Sequence, residues 1–163
     1  MNFTDENPVT SFYENASEEE RKIMEQVVNG LIDKRKGLYT SNVSALFNLK
    51  AENEEEILTI HMQVTPMLYN SLGIVHGGIT ATAIDTAMGT LANRAAPEGF
   101  GAVTSQLTIH YTASVSGPHV KAHARIIHTG SKTMVLEGWL SGPDNKRLAH
   151  ATASFFLIPS KKE

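Results

Sequence analysis

The spacing of hydrophobic and polar residues predicts a helix near the start of the chain. Ser17 and Glu20 have the spacing of a capping box, in which a serine hydroxyl and a glutamate satisfy the first backbone donors of a helix. Apolar residues then follow at helical intervals: Met24, Val27, Val28 and Leu31. Gly37, after a basic cluster, is typical of a helix end. We therefore predict a helix over 18–36, preceded by a loose arm over residues 1–15, which lack periodicity.

Beyond this helix the period changes from helical to alternating. Apolar residues occupy mostly every other position over 42–50 and again over 58–64. The acidic run 52–56 lies between the two stretches and is predicted to be a turn. Two alternating runs joined by a short polar segment are typical of an antiparallel hairpin.

A second helix is predicted over 79–96, after a loop over 65–78 that contains a proline and three glycines. Its apolar residues keep helical spacing throughout: Ile84, Ala87, Met88, Leu91, Ala92 and Ala95. Four alternating runs follow and predict strands near 106–111, 119–126, 134–140 and 149–157. The last of these has small inward residues, which would let the helix approach closely. The order helix, two strands, helix, four strands predicts an α+β fold with an antiparallel sheet packed on a long helix.

Composition indicates one folded domain and excludes several functions. The chain has 163 residues, of which 41% are hydrophobic and 19% charged, and its net charge is −3. This charge offers no basic surface for nucleic acid or an anionic membrane, and no stretch of about 18 apolar residues could span a bilayer. The absence of cysteine excludes disulfide scaffolds, thiolate zinc sites and cysteine nucleophiles. We expect an arm and helix over 1–40 and the main domain over 41–160. The acidic start lacks the features of a secretory signal, which fits a cytoplasmic location.

One carboxylate lies on the second predicted helix. Between Gly77 and Asn93, Asp85 is the only ionisable residue among small and apolar ones, and a helix without a charged face is normally buried. A carboxylate there must be paired, hydrogen-bonded or neutral. Two interpretations stay open: a structural carboxylate bonded to hydroxyl or backbone groups, and a general base or nucleophile.

Two glycines, Gly77 and Gly78, begin the same helix. Backbone N–H groups at such a helix start can bind an oxygen that gains negative charge, although a tight turn needing positive φ is the alternative. Asp85 follows Gly77 by eight positions, which is about 12 Å along a helix axis. Because that is too far for both groups to reach one carbonyl, we expect a site composed of two subunits.

The loop and helix together carry one motif: Asn70-x-x-Gly73-x-x-His76-Gly77-Gly78, followed by Asp85. This motif resembles the PaaI-type acyl-CoA thioesterases of the hotdog fold. The resemblance covers about residues 40–158 and includes the order of elements. It implies an antiparallel sheet wrapped around a long central helix, with the N-terminal helix as an addition. It also implies hydrolysis of an acyl- or aryl-CoA to free acid and CoA by a homo-oligomer, either a dimer or a dimer of dimers (homotetramer).

The resemblance implies roles for individual residues. Asp85 would be the base or nucleophile, and the Gly77 N–H would polarise the thioester carbonyl. Asn70 and His76 would help to hold the carbonyl or the attacking water, and Thr104 would help to position that water. The substrate would further contact three residues: Gly78, Ser131 and Lys132. Family members often have a basic residue where this chain has Ser131, which weakens the implied contact of this turn with the CoA phosphates.

Two other functions on the same fold stay open. A dehydratase or hydratase would use His76 and Asp85 as its acid–base pair, and a non-catalytic acyl-CoA sensor would bind without turnover. The seven histidines do not indicate a metal site, since His119 and His123 on one strand face would be about 13 Å apart. We therefore expect no metal and no cofactor. Aryl-acetyl, hydroxybenzoyl and medium-chain acyl groups are all compatible with the sequence.

Overall fold

The computed structural model describes residues 7–54, 56–115 and 117–160. Four α-helices and six strands occur in these residues: α1 (Pro8–Asn15), α2 (Glu18–Arg35), α3 (Asn42–Leu46), β1 (Lys50–Glu54), β2 (Ile57–Gln63), α4 (Gly77–Ala95), β3 (Phe100–Tyr111), β4 (His119–Thr129), β5 (Thr133–Ser141) and β6 (Arg147–Pro159). The chain divides into two compact units, one that ends at Leu46 and one that begins at Phe47. None of the described helices is long and apolar enough to cross a membrane.

The first unit contains α1, α2 and α3. The predicted capping box forms at the start of α2, where Glu20 N–H donates to the Ser17 hydroxyl at 3.3 Å and Ser17 N–H donates to the Glu20 carboxylate at 2.8 Å. The prediction of a loose arm is wrong for residues 8–15, which form α1. Asn7 caps this helix by accepting from Val9 N–H at 3.0 Å, and Pro8 occupies its first turn. These local signals form a short helix even though its sequence lacks a long apolar period.

Two predictions are wrong in this region: residues 42–46 are not a strand, and most of the acidic run 52–56 is not a turn. Residues 42–46 form α3, where Ser44 N–H donates to the Ser41 hydroxyl at 3.0 Å. After a positive φ of 53° at Asn48, β1 begins at Lys50 and takes up much of the acidic run. Charged side chains are tolerated there because β1 is an edge strand with one open side. The predicted hairpin itself is present, since β1 pairs antiparallel with β2.

The second unit is an antiparallel sheet in the order β1-β2-β4-β5-β6-β3, with α4 on one face. The buried residues of β4, β5 and β6 include several alanines, such as Ala122, Ala124, Ala151 and Ala153. At Gly138 on β5 the sheet and the helix approach each other closely, because a Cβ there would lie 2.7 Å from Cγ2 of Ile84 on α4. Small residues thus let the helix lie directly on the sheet, which confirms the predicted α+β architecture.

Strand β3 is fixed to α4 near one end. The Asn93 side chain donates to the Ala102 carbonyl at 3.0 Å and accepts from the Ala102 N–H at 2.9 Å. β3 lies at one end of the strand order and pairs with β6. Within the described residues, no strand pairs with its other edge. Because the Asn93 amide bonds both backbone groups of Ala102, it fixes the position of β3 along α4.

Polar side chains pair with one another on the face of the sheet opposite α4. The carboxylate of Glu137 on β5 accepts from Arg125 Nε at 2.6 Å and lies 2.7 Å from Nε2 of His150. His123 stacks on Trp139, with ring centroids 5.0 Å apart. Alternation along the strands places these groups away from the apolar core.

Candidate active site

Asp85 lies in the middle of α4, half-buried at the edge of its apolar face. The Thr104 hydroxyl on β3 donates to Asp85 Oδ1 at 2.9 Å. Among the described residues, Asp85 forms no ion pair, and its second carboxylate oxygen has no hydrogen-bond partner. One oxygen is therefore held by a hydroxyl, and the other is left to accept a proton or a hydrogen bond.

A β-bulge turns Thr104 towards the helix. In the pairing of β3 with β6, Thr104 lies opposite Phe155 and Gln106 lies opposite Ser154, so Ser105 is an extra residue on β3. Alternate residues of a regular strand point to opposite faces, and one extra residue shifts that alternation. As a result, Thr104 and Tyr111, seven positions apart, both direct their hydroxyls towards α4.

The start of α4 has one uncommitted backbone donor. The His76 ring accepts from the Gly78 N–H through Nδ1 at 2.9 Å, which makes His76 the N-cap of the helix and leaves the ring proton on Nε2. The His76 carbonyl accepts from Ile79 N–H at 2.9 Å and from Thr80 N–H at 3.2 Å. The Gly77 N–H donates to no group within the described residues. It is the donor that the helix dipole makes available to an anionic oxygen.

Asn70 shapes the loop that leads to this donor. Its Oδ1 accepts from Leu72 N–H at 2.9 Å and from Ile74 N–H at 3.4 Å. No hydrogen bond of its Nδ2 group occurs in the part of the chain that the structure describes. Asn70 and Gly77 line the same cavity, which has a volume of about 370 Å³. The loop thus presents a side-chain amide and a backbone N–H to one space.

Tyr111 was not singled out by the sequence pattern as a site residue. Its hydroxyl donates to the Gly77 carbonyl at 3.0 Å, and its ring lines the cavity. The ring carbon Cζ would lie 3.5 Å from a Cβ placed on Gly77. The alternation of Leu107, Ile109 and Tyr111 put the phenol on the apolar face of its strand, but nothing in the sequence showed that this face meets the first residue of α4.

The predicted site residues form two separate groups in one chain. Asp85 and Thr104 are one group, and Asn70 and Gly77 are the other, about 12 Å away along the axis of α4.

Ser131 and Lys132 belong to neither group, since they are exposed in the turn between β4 and β5. The Lys132 carbonyl accepts from Leu157 N–H at 2.8 Å, and Leu157 pairs with Ala102. This turn therefore lies at the Thr104 end of β3 rather than at the Gly77 end. The part of the chain described by the structure holds no group of three or more potential ligands for a metal ion.

Comparison with known proteins identifies the family of this chain. The family model described as the thioesterase superfamily matches residues 72–147. The BH2602 protein from Bacillus halodurans, solved with CoA, is 36% identical over 92% of this chain and 100% of its own length, with a TM-score of 0.86. The chain belongs to the thioesterase superfamily. A search of curated protein sequences gave no match.

More distantly similar solved structures share the fold. Thioesterase HI1161 from Haemophilus influenzae has a TM-score of 0.71 at 19% identity, over 82% of this chain and 93% of its own. The PaaI protein from the phenylacetic acid degradation operon of E. coli has a TM-score of 0.69 at 20% identity, over 83% of this chain and 98% of its own. These structures confirm the predicted hotdog fold, and the match to the thioesterase superfamily agrees with the predicted thioester hydrolase class.

Proposed function

We propose that this thioesterase hydrolyses an acyl-CoA at a centre that two subunits share, with Asp85 and Thr104 from one chain and Gly77 and Asn70 from the other. The observation that carries the proposal is the division of the site. Within the part of the chain that the structure describes, a carboxylate without a cationic partner and a backbone donor without an acceptor lie on one helix, about 12 Å apart. Among the described residues, the Gly77 N–H has no acceptor and one oxygen of Asp85 has no hydrogen-bond partner, and hydrolysis of a thioester needs both groups.

The free edge of β3 supports the pairing of two copies. If β3 of two chains paired antiparallel about a twofold axis near its middle, the Thr104 end of one strand would lie beside the Tyr111 end of the other. Because Thr104 contacts Asp85 and Tyr111 contacts Gly77, the same pairing would bring Asp85 of one subunit towards the partner's Gly77. Such pairing would also cover the open backbone of β3. We expect a homodimer or a dimer of dimers, in the cytoplasm.

In this arrangement the Gly77 N–H and the Asn70 amide hold the thioester carbonyl oxygen. As water adds to the carbonyl carbon, negative charge develops on that oxygen, and the N-terminal end of α4 stabilises it. Asp85 takes the proton from the attacking water through the carboxylate oxygen that Thr104 leaves unused. The carbon–sulfur bond then breaks, and the CoA thiolate leaves and receives the proton that Asp85 took from the water, which restores the carboxylate.

His76 has a supporting role in this proposal. Its Nδ1 is already bonded to the Gly78 N–H, so it fixes the first turn of the helix and keeps the glycine donors in place. A dehydratase would need His76 as an acid or base at the acyl α- and β-carbons. The bond at Nδ1 favours the capping role.

The purified protein should be tested on acyl-CoAs of different chain length and on phenylacetyl-CoA. We expect release of one free thiol and one carboxylic acid per substrate consumed, measured by thiol titration and mass spectrometry. Addition of water without thiol release would indicate a hydratase. Tight binding of every acyl-CoA without turnover would indicate a sensor, and either result would overturn the proposal.

A further inference from the structure

The cavity beside Gly77 is lined by uncharged residues. Its described lining includes Asn70, Ile74, Val75, Tyr111 and Val115, and no Lys, Arg, His, Asp or Glu is among the described residues that form it. A thioester carbonyl bound to the Gly77 N–H has two substituents, the sulfur with its long CoA chain and the acyl group. The CoA phosphates are bound best by cationic side chains, and the described lining of this cavity contains none. The cavity therefore suits the acyl side of the substrate.

Tyr111 lines this cavity next to Gly77, on the side that we assign to the acyl group. Its ring faces Gly77 closely, since Cζ and Cε1 lie 3.5 and 3.6 Å from the position of a Cβ on that residue. Gly77 has no side chain of its own, so the Tyr111 phenol is the nearest group on the side where a Cβ would lie.

The phenol is held in this position although it is largely exposed. In the single chain Tyr111 has 55% of its surface accessible, which would leave an unanchored ring free to change rotamer. Its hydroxyl, however, donates to the Gly77 carbonyl at 3.0 Å. The bond joins the last residue of β3 to the first residue of α4. It therefore keeps the Tyr111 ring at a fixed distance from the Gly77 N–H that polarises the thioester carbonyl.

From these contacts we infer that Tyr111 is a specificity-determining residue, whose anchored ring limits the size of the acyl group that can lie beside Gly77. The inference rests on the proposed thioesterase function and names the side chain that selects its substrate. Removal of the ring opens the cavity towards the end of β3, which favours larger acyl groups relative to small ones.

The test uses two variants of the full-length protein. Tyr111→Leu removes the ring, whereas Tyr111→Phe keeps the ring and removes only its anchor. Values of kcat/KM are measured with acetyl-CoA and hexanoyl-CoA, because aliphatic acyl groups do not stack on the ring in the wild type. Tyr13→Phe is the matched control, since it removes another exposed, hydrogen-bonded phenol that does not line the cavity. Circular dichroism and thermal unfolding establish that each variant is folded.

In Tyr111→Leu we expect the ratio of kcat/KM for hexanoyl-CoA over acetyl-CoA to rise about tenfold, the scale of discrimination by small differences in apolar contact. In Tyr111→Phe the ratio should change less than about threefold, and in Tyr13→Phe it should equal that of the wild type. An unchanged ratio in folded Tyr111→Leu would overturn the inference, as would an equal rise of KM for both substrates, which would assign the ring to the CoA moiety. Failure of the wild type to hydrolyse any acyl-CoA would instead reject the proposed function.

Discussion

The Thr104 hydroxyl and the Asp85 carboxylate are joined by a hydrogen bond of 2.9 Å between an edge strand and the central helix. The bond lies beside the extra residue at Ser105, which lets Thr104 and Tyr111 face α4 together although a regular strand would direct residues seven positions apart to opposite faces. It fixes one carboxylate oxygen and leaves the other available for chemistry. The irregularity of β3 is therefore part of the arrangement of the proposed site.

Replacement of Thr104 tests whether this bond positions the carboxylate. Thr104→Val keeps the shape of the side chain and removes the donor. Hydrogen bonds to charged groups contribute about 1.5–3 kcal/mol, and water would partly replace this one, so kcat should fall about tenfold. KM should change little. Thr104→Ser, which restores the hydroxyl, should recover most of the rate. Equal steady-state rates for the valine variant and the wild type would show that Thr104 has no part in turnover.

Asp85→Asn tests the proposed base. The amide is nearly isosteric but cannot take a proton from water, so kcat should fall by about 10²–10⁴. The thermal unfolding midpoint should stay equal or rise, because a half-buried carboxylate without a cation is seldom the most stable choice. Asp144→Asn is the control, since an amide oxygen can replace the carboxylate that accepts from Lys146 N–H at 3.1 Å in a turn. Destabilised Asp85→Asn protein that keeps its turnover would support the structural interpretation instead.

Two glycines test the contact between helix and sheet. Gly138→Ala would place a Cβ 2.7 Å from Cγ2 of Ile84 and should lower the free energy of unfolding by about 1–3 kcal/mol. Gly89→Ala on α4 would meet only the Phe155 ring at 3.5 Å, an ordinary contact, and should be neutral or stabilising by up to about 1 kcal/mol. Urea unfolding at one protein concentration measures both. Equal free energies of unfolding for the two variants would contradict the account, because they would show that the space at Gly138 does not limit how closely α4 packs on the sheet.

Glu137 gives a prediction for acid stability. The hydrogen bond with His150, aided by Arg125, holds the pKa of Glu137 below its ordinary value of 4.5, although partial burial acts in the opposite direction. The folded state thus binds fewer protons than the unfolded state in this range, so the contribution is complete above about pH 4.5 and is lost as the pH falls through the folded pKa. The stability difference between wild type and Glu137→Gln should therefore shrink below pH 4.5. A difference that stays constant from pH 6 to pH 3 would contradict this coupling.

Much of the fold could be predicted from the sequence, because the hydrophobic periodicity and the helix-capping residues agree with the elements in the structure. α2 spans Glu18–Arg35 against a predicted 18–36, and α4 spans Gly77–Ala95 against a predicted 79–96. The start of α4 was predicted two residues late, because Gly77 and Gly78 were assigned to the segment that leads into the helix, whereas they form its first turn behind the His76 cap. α3 was mistaken for a strand, since a five-residue helix shows little of its own period and the serine at its start carries the signal.

The site could be predicted only in part. The motif marks Asp85, Gly77 and Asn70 as candidate site residues, and the rise of a helix already predicts that Asp85 and Gly77 lie about 12 Å apart. Tyr111 could not be found in this way. Its approach to Gly77 depends on the bulge at Ser105 and on the pairing of β3 with β6, and neither leaves a pattern that can be read along the chain.

Complementation between subunits tests the shared site most directly. Asn70→Asp keeps the oxygen that accepts from Leu72 and Ile74, but it loses the amide donor and adds a negative charge beside the thioester carbonyl. Asp85→Asn lacks the base. Each variant alone should be nearly inactive in the hydrolysis of acyl-CoA. The two chains, carrying different affinity tags, are produced together, and the mixed dimer is isolated by both tags.

If Asp85 acts on a thioester bound at the partner's Gly77, the mixed dimer contains one site with both substitutions and one intact site. Its kcat should then be about half that of the wild-type dimer, because each of the two sites in a symmetric dimer takes one group from each chain. If each chain forms a complete site by itself, no site in the mixed dimer is intact, and thiol release should stay at the level of the single variants. That second result would contradict the account.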